Sequence, residues 1–290
     1  MEDLNAVARF LLPWEFYPAV FILCVGTLAL YWRGLRHRGT MPRPHGARRL
    51  SLYTGIGLVY FVMQTRFDFL SQHMFFIHRL QHLVLHHLGP FLIAMAQPVP
   101  VLTQGLPPAF LRAAARMPGR RAVRFVYRLL QNAVIAPALF VGLIAFWLTP
   151  SIHFKAMLSA PLYGVMNWSM LIDGLLFWML MLDPRTLAEG ALIGIGTRVI
   201  IVFAAMVPQL LIGARIVLAR PDLYNVYDVC GRAWNFSAAT DQRLGGLIIW
   251  IPAAMMHVVA ALVLIGRWMR ADHNAMQNGK RSAPLTLPGA

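Results

Sequence analysis

Residues 72–97 read QHMFFIHRLQHLVLHHLGPFLIAMAQ, a run apolar and long enough to cross a bilayer that nevertheless carries five histidines, His73, His78, His82, His86 and His87. About 20 residues at roughly 1.5 Å of rise each span the hydrocarbon. Ionisable side chains inside a span are costly there and face a protein interior, where they mark a site. This helix is therefore the expected functional centre, and the remaining spans are its housing.

Working outward, 58% of the 290 residues are hydrophobic and 13% are charged, with a mean hydropathy of +0.59. A soluble domain carries roughly 25% charge, so the fold class is an all-α membrane protein. The net charge of +15 does not point to nucleic acid, because the basic residues sit in short blocks between apolar runs, as the positive-inside rule requires. The start MEDLNAVARF lacks a basic segment followed by a short apolar core and a cleavage site, so the first apolar run is expected to be retained.

Seven apolar runs predict a seven-transmembrane-helix bundle: roughly 14–33, 50–66, 73–96, 126–148, 161–182, 191–218 and 243–268. The basic loops WRGLRHRGTMPRPHGARR and LRAAARMPGRRAVRFVYR belong on the cytoplasmic side, with LDPRTLAEG and a C-terminal segment bearing Arg270, Lys280 and Arg281. Alternation then places the N-terminus outside and the C-terminus inside. Residues 1–272 form one polytopic domain, and the polar, Pro/Gly-rich stretch 273–290 is expected to be a flexible cytoplasmic tail. Trp14, Tyr17, Tyr127 and Trp268 near span ends fit interfacial belts.

His78, His82 and His86 recur at i, i+4 and i+8, about 40° apart per step, and form one stripe. Two neutral imidazoles at i, i+4 can chelate one ion, but a third ligand must come from elsewhere. On the same outer side lie His73, His153, Asp68, Asp228, Asp241 and Cys230. A single membrane histidine is more simply a hydrogen bond to a neighbouring helix, and His87 and His257 are read that way. Three on one stripe, with His153 and Cys230 available, favour a metal or haem role.

Cys230, in NVYDVCGRAW, is a soft ligand, a mixed-disulfide partner or a bland residue, and with imidazoles nearby it suggests Cu(I) over Zn or Mg. Cys24, within an apolar run, is a small buried hydrophobe. Among the methionines only Met74, beside His73, is a candidate ligand. His257 lies at the depth of His86, which makes a haem held by His82 or His86 with His257 the rival reading. Asp173 is expected to pair with Arg198 for structural reasons, and Pro252 is expected to kink the last helix.

HRLQHLVLHHLGPFLIAMAQP, residues 78–98, resembles the HMxQH…PPLLxxGxP signature of the CtaG family of polytopic cytochrome c oxidase assembly proteins. DQRLGGLIIWIP, residues 241–252, resembles the family's DQQLGGLIMWxP signature in the last helix, and GLLFW occurs in the expected helix. The likeness runs over roughly residues 14–270 and implies a multi-pass factor of the bacterial inner membrane that matures haem–copper oxidases by handling copper on the periplasmic side. Its partners would be an oxidase subunit or a periplasmic copper chaperone. The matching positions are His78, Gln81, His82, Asp241, Gly245, Gly246, Trp250 and Pro252. Two departures stand out: Arg79 replaces an apolar residue, and Asn167 stands where the family pattern has a histidine, which leaves His153 or Cys230 to complete a site.

Three functions follow. The first is an assembly factor that binds copper, as Cu(I), through His78 and His82, completed by His73, His153 or Cys230, with His86 below and Asp68 fixing an imidazole tautomer. The second is a haem-binding electron-transfer protein, and the third a metal-ion transporter whose polar stripe lines the path. No nucleophile and base stand at useful spacing, so catalysis is not expected.

Overall fold

The computed structural model describes residues 10–13, 15–37 and 43–282, with side chains to residue 273. Trp14 and residues 283–290 lie outside the described residues. Helices in chain order are α1 Pro18–His37, α2 Gly46–Gln64, α3 Arg66–His73, α4 Phe75–His82, a π-helical turn Leu83–Leu88, α5 Gly89–Ala96, α6 Val99–Gly105, α7 Pro108–Arg116, α8 Arg120–Leu130, α9 Ile135–Trp147, α10 Pro150–Met157, α11 Ala160–Met181, α12 Ile195–Leu218, α13 Val226–Cys230 and α14 Ala238–Ser282. No strand occurs among the described residues, only one isolated bridge between Pro13 and Thr65.

Among the described residues four helices, α1, α11, α12 and the 238–273 part of α14, are long and apolar enough to cross a membrane. The number rises to six if each of two bent pairs counts as one span. The chain is thus an all-helical, multi-pass membrane protein. A seventh span would have to be α2, which has the length but carries Arg48 and Arg49 in its first turn and Ser51, Thr54 and Gln64 beyond it.

Two expected spans are not straight. The stretch 126–148 breaks at Gln131–Val134, where α8 and α9 meet at 74°. Asn132 causes the break by accepting from the Val134 and Ile135 amides through Oδ1, an Asx cap that starts α9 afresh just before Pro137. The helix ending at Ala96 turns by 73° into α6, because Gln97 adopts the left-handed conformation, φ 51°, and Pro98 follows it. At the C-terminus α14 runs on to Ser282, past residue 273 where a flexible tail is expected. Pro252 lies within that continuous helix.

The break that positions the site is at Met74, extended at φ −141°, ψ 126° and fully buried. It separates α3 from α4 and exposes the first amides of α4. Asp241, at the start of α14, accepts from the Phe75 amide at 3.0 Å and the Phe76 amide at 2.8 Å, a cap supplied from 166 residues away. Arg232 also donates to Asp241. Beside it Gly245 lets the Phe75 ring pack directly on the α14 backbone, in space that any Cβ would fill. The resemblance motif of the last helix is therefore the part that docks onto the histidine helix.

Candidate metal site and its surroundings

The central helix changes pitch below His82. In the turn Leu83–Leu88 the Gly89 amide reaches back to the Val84 carbonyl, an i→i+5 bond that widens the turn and reduces the rotation per residue. His87, which a regular helix would point away from His78, is thereby swung inward, and His86 and His87 are both buried. The His86 carbonyl, whose helical donor position is taken by Pro90 with no N–H, accepts from the Trp178 indole at 3.1 Å. Gly174 makes this approach feasible, since a Cβ there would meet the His86 carbonyl oxygen at 2.5 Å.

The expected stripe of three therefore divides into an upper pair and a lower group. In the upper pair the Nε2 atoms of His78 and His82 face each other at 3.0 Å, and Asn167 Oδ1 lies 3.1 Å from His82 Nε2. Both rings are buried, and the Nδ1 atoms of both have no hydrogen-bond partner. The His153 ring is 5.3 Å from that of His78, but its nitrogens are occupied: Nδ1 donates to the Trp147 carbonyl at 3.1 Å, and the Tyr227 hydroxyl donates to Nε2 at 3.0 Å.

The remaining expected ligands stand apart. His73 ends α3, bonds the Phe69 carbonyl through Nδ1 at 2.8 Å and stacks on the Phe69 ring. Cys230 is a free thiol at the end of α13, against the cluster containing Tyr224 and Tyr227. Burial pushes its ionisation up, which disfavours the thiolate that metals prefer. Met74 is consumed in the core. Among the described residues no three His, Cys, Asp or Glu side chains are placed to share one ion.

Asp68 does not touch an imidazole. Its Oδ1 accepts from the Tyr163 hydroxyl at 2.8 Å and from Gln81 Nε2 at 2.8 Å, and Oδ2 accepts from Gln72 at 2.9 Å, so it is saturated before it could orient a histidine. Gln81 also donates to the Val62 carbonyl at 2.8 Å, and the Tyr163 ring flanks His78 at 5.8 Å. Tyr163 thus stands between the Asp68 carboxylate and the His78 ring. Tyr163 and Tyr227 carry no sequence signal that separates them from other aromatic residues.

Burial raises the Asp68 carboxyl from 3.8 to about 6, against the lowering by its hydrogen-bond donors. A carboxyl raised on folding holds its proton in the native state where the unfolded chain has lost it, so stability falls as pH rises from about 4 to about 6. The shift corresponds to a few kcal/mol at most, roughly 1.4 kcal/mol per unit. Asp68→Asn is expected to flatten that slope in thermal unfolding of the detergent-solubilised protein; an unchanged slope would show that Asp68 does not titrate there.

In the lower group His86 Nε2 pairs with Asp173 Oδ2 at 3.0 Å, which replaces the expected Asp173–Arg198 pair. Arg198 instead donates to the backbone carbonyls of Ile193, Asp183 and Arg185. The His87 and His257 ring centres are 5.6 Å apart, amid Phe140 and Trp178. A haem between His257 and His82 or His86 would need those rings to vacate the space, because Phe140 stacks on both His86 and Phe177.

The family model described as cytochrome c oxidase caa3 assembly factor (Caa3_CtaG) matches residues 28–271. The chain belongs to that family. A curated relative, an uncharacterized protein of Mycobacterium leprae (strain TN), is 24% identical over 305 aligned residues, covering 97% of this chain. The chain spans 43% of that relative's length. No solved structure matches it. Within the Caa3_CtaG chain the paired imidazoles, the Asp241 cap and Gln81 all fall inside the matched range.

Proposed function

We propose that this Caa3_CtaG member supports maturation of a haem–copper oxidase by taking up copper, as Cu(I), at His78 and His82 near the outer face of a bacterial inner membrane. It would receive the ion from a periplasmic copper chaperone or pass it to an oxidase subunit. The observation that supports this most is the 3.0 Å approach of two buried ring nitrogens one helical turn apart. Each Nε2 can carry a lone pair toward the same point, and two imidazoles suit a soft monovalent ion.

Ligand bonds of about 2.0 Å require the two nitrogens to open to roughly 3.3 Å at a tetrahedral angle and to about 4 Å if collinear. That is a small rotation of each ring. Asn167 Oδ1 is the nearest further donor, and His153 becomes one if Tyr227 releases it. A two-coordinate or weakly three-coordinate ion suits cargo that must be handed on.

In cells lacking this chain, the oxidase is expected to be deficient in copper and in activity. Wild type should restore both, and His82→Ala should restore neither. Equal restoration by His82→Ala would sink the copper reading while leaving the assembly role. Proteoliposome flux separates a carrier from a transporter: the proposal expects no copper movement across the bilayer.

A further inference from the structure

Between the upper pair and the lower group lies a cavity of about 20 Å³, lined by Arg79, His82, Met170, Ile144, His87 and Gln209 among others. By the same measure one water needs about 10–15 Å³, so the space holds one or two water-sized occupants. Arg79 is buried at 3% exposure, and its Nε and Nη2 have no hydrogen-bond partner. Its guanidinium sits 5.1 Å over the Phe75 ring, which offers a weak cation–π contact and no anion.

Arginine keeps its proton in proteins, so this is a fixed positive charge inside an apolar bundle, and such a charge is retained only with a counter-charge. None of the carboxylates near it serves. Asp241 is taken by Arg232 and two amides, Asp68 by Tyr163, Gln81 and Gln72, and Asp173 by His86. Among the described residues no ion pair includes Arg79.

The other polar lining is His82, His87 and Gln209, with no carboxylate among them. Gln209 places its amide nitrogen 2.9 Å and its amide oxygen 3.3 Å from His87 Nε2, so the amide satisfies that ring nitrogen and the other ring nitrogen is Nδ1. That Nδ1 is buried without a partner. Arg79 therefore brings two unpartnered donor nitrogens, Nε and Nη2, to the lining of one small cavity that holds no carboxylate. A cation would be repelled there, and a neutral water offers acceptor lone pairs but no charge.

We infer that the cavity lined by Arg79, His87 and Gln209 is a binding site for a small monovalent anion of halide size, which serves as the counter-ion of Arg79. Copper plays no part in this site, and it is tested on copper-free protein. The purified full-length chain, stripped of metal and exchanged into gluconate, is titrated with chloride and separately with bromide at constant ionic strength. Wild type is expected to show a saturable rise in melting temperature of several degrees with either halide, and none with sulfate.

Arg79→Met is expected to lose the halide response while remaining folded, because removal of an unpaired buried charge relieves a cost. Should that variant fail to fold, bromide-soaked wild-type crystals supply the test without it: an anomalous peak beside Arg79 supports the site. No halide-specific shift in wild type, an equal shift in Arg79→Met, or bromide found only elsewhere would overturn it, the first meaning that the cavity holds water only.

Discussion

Substituting His78 and His82 together with alanine is expected to abolish Cu(I) uptake by the purified protein, lowering affinity by roughly 100-fold or more, since changes merely around a metal site already cost 10–100-fold. The two Nε2 atoms are the convergent donors of the upper pair, and His153 cannot replace them while Trp147 and Tyr227 hold its ring. An anaerobic titration against a chromophoric Cu(I) chelator reads the loss, with circular dichroism as the control for folding. If the pair were only an N–H···N hydrogen bond, its removal would cost stability by leaving a cavity and copper content would not change. Equal copper uptake by the variant and wild type defeats the metal reading.

The same geometry predicts a gain. Asn167→His would add an imidazole where an amide oxygen now sits 3.1 Å from His82 Nε2. It is expected to tighten Cu(I) binding about tenfold or more, equivalent to about 1.4 kcal/mol per factor of ten. An unchanged or weaker affinity would place the bound ion on the side of the pair away from α11.

Gly34→Leu is expected to prevent recovery of a monodisperse protein, an effect above about 4 kcal/mol and among the largest single substitutions produce. Helices α1 and α6 cross with their backbones in contact: a Cβ on Gly34 would land on the Val101 carbonyl well inside 3.0 Å, and one on Gly105 would land on the Leu30 carbonyl. Small residues permit such crossings in membranes, where packing rather than water expulsion drives association. Gly34→Ala should already be severe, because backbone on both helices cannot yield as a side chain can. Gly26→Ala is the control on the same helix: nothing lies within 4 Å of its Cβ, so it should be neutral or stabilising by about 0.5–1 kcal/mol. Comparable losses at Gly26 and Gly34 in yield and thermal unfolding would refute the crossing.

Much of the site was legible because it is local. The i, i+4 spacing of His78 and His82 brings their rings together on any helix, and Gln81 and Asp241 stood in motifs whose likeness to the Caa3_CtaG family could be read directly. Asn167 is a visible departure from the family pattern, yet its place beside His82 requires α11 to be set against α4. The stripe reading failed at His86 because it assumed regular pitch through Leu83–Leu88, and no residue type in LVLHHL announces a π turn. Pairing Asp173 with Arg198 by charge type on successive helices fails, because backbone carbonyls satisfy Arg198 and His86 takes Asp173.

By itself the sequence determined the membrane character, the helical content and the identity of the paired imidazoles, all of which follow from composition and from spacing within one turn. Only the tertiary structure decided the partners of the buried polar groups: that Tyr227 occupies His153, that Asp68 bonds Gln81 and Tyr163 and not an imidazole, and that Arg79 is left without a carboxylate. The division has one physical cause. Hydropathy and helical phase act over a few residues, while the partner of a buried polar group is chosen among helices far apart in the chain by where their backbones can approach.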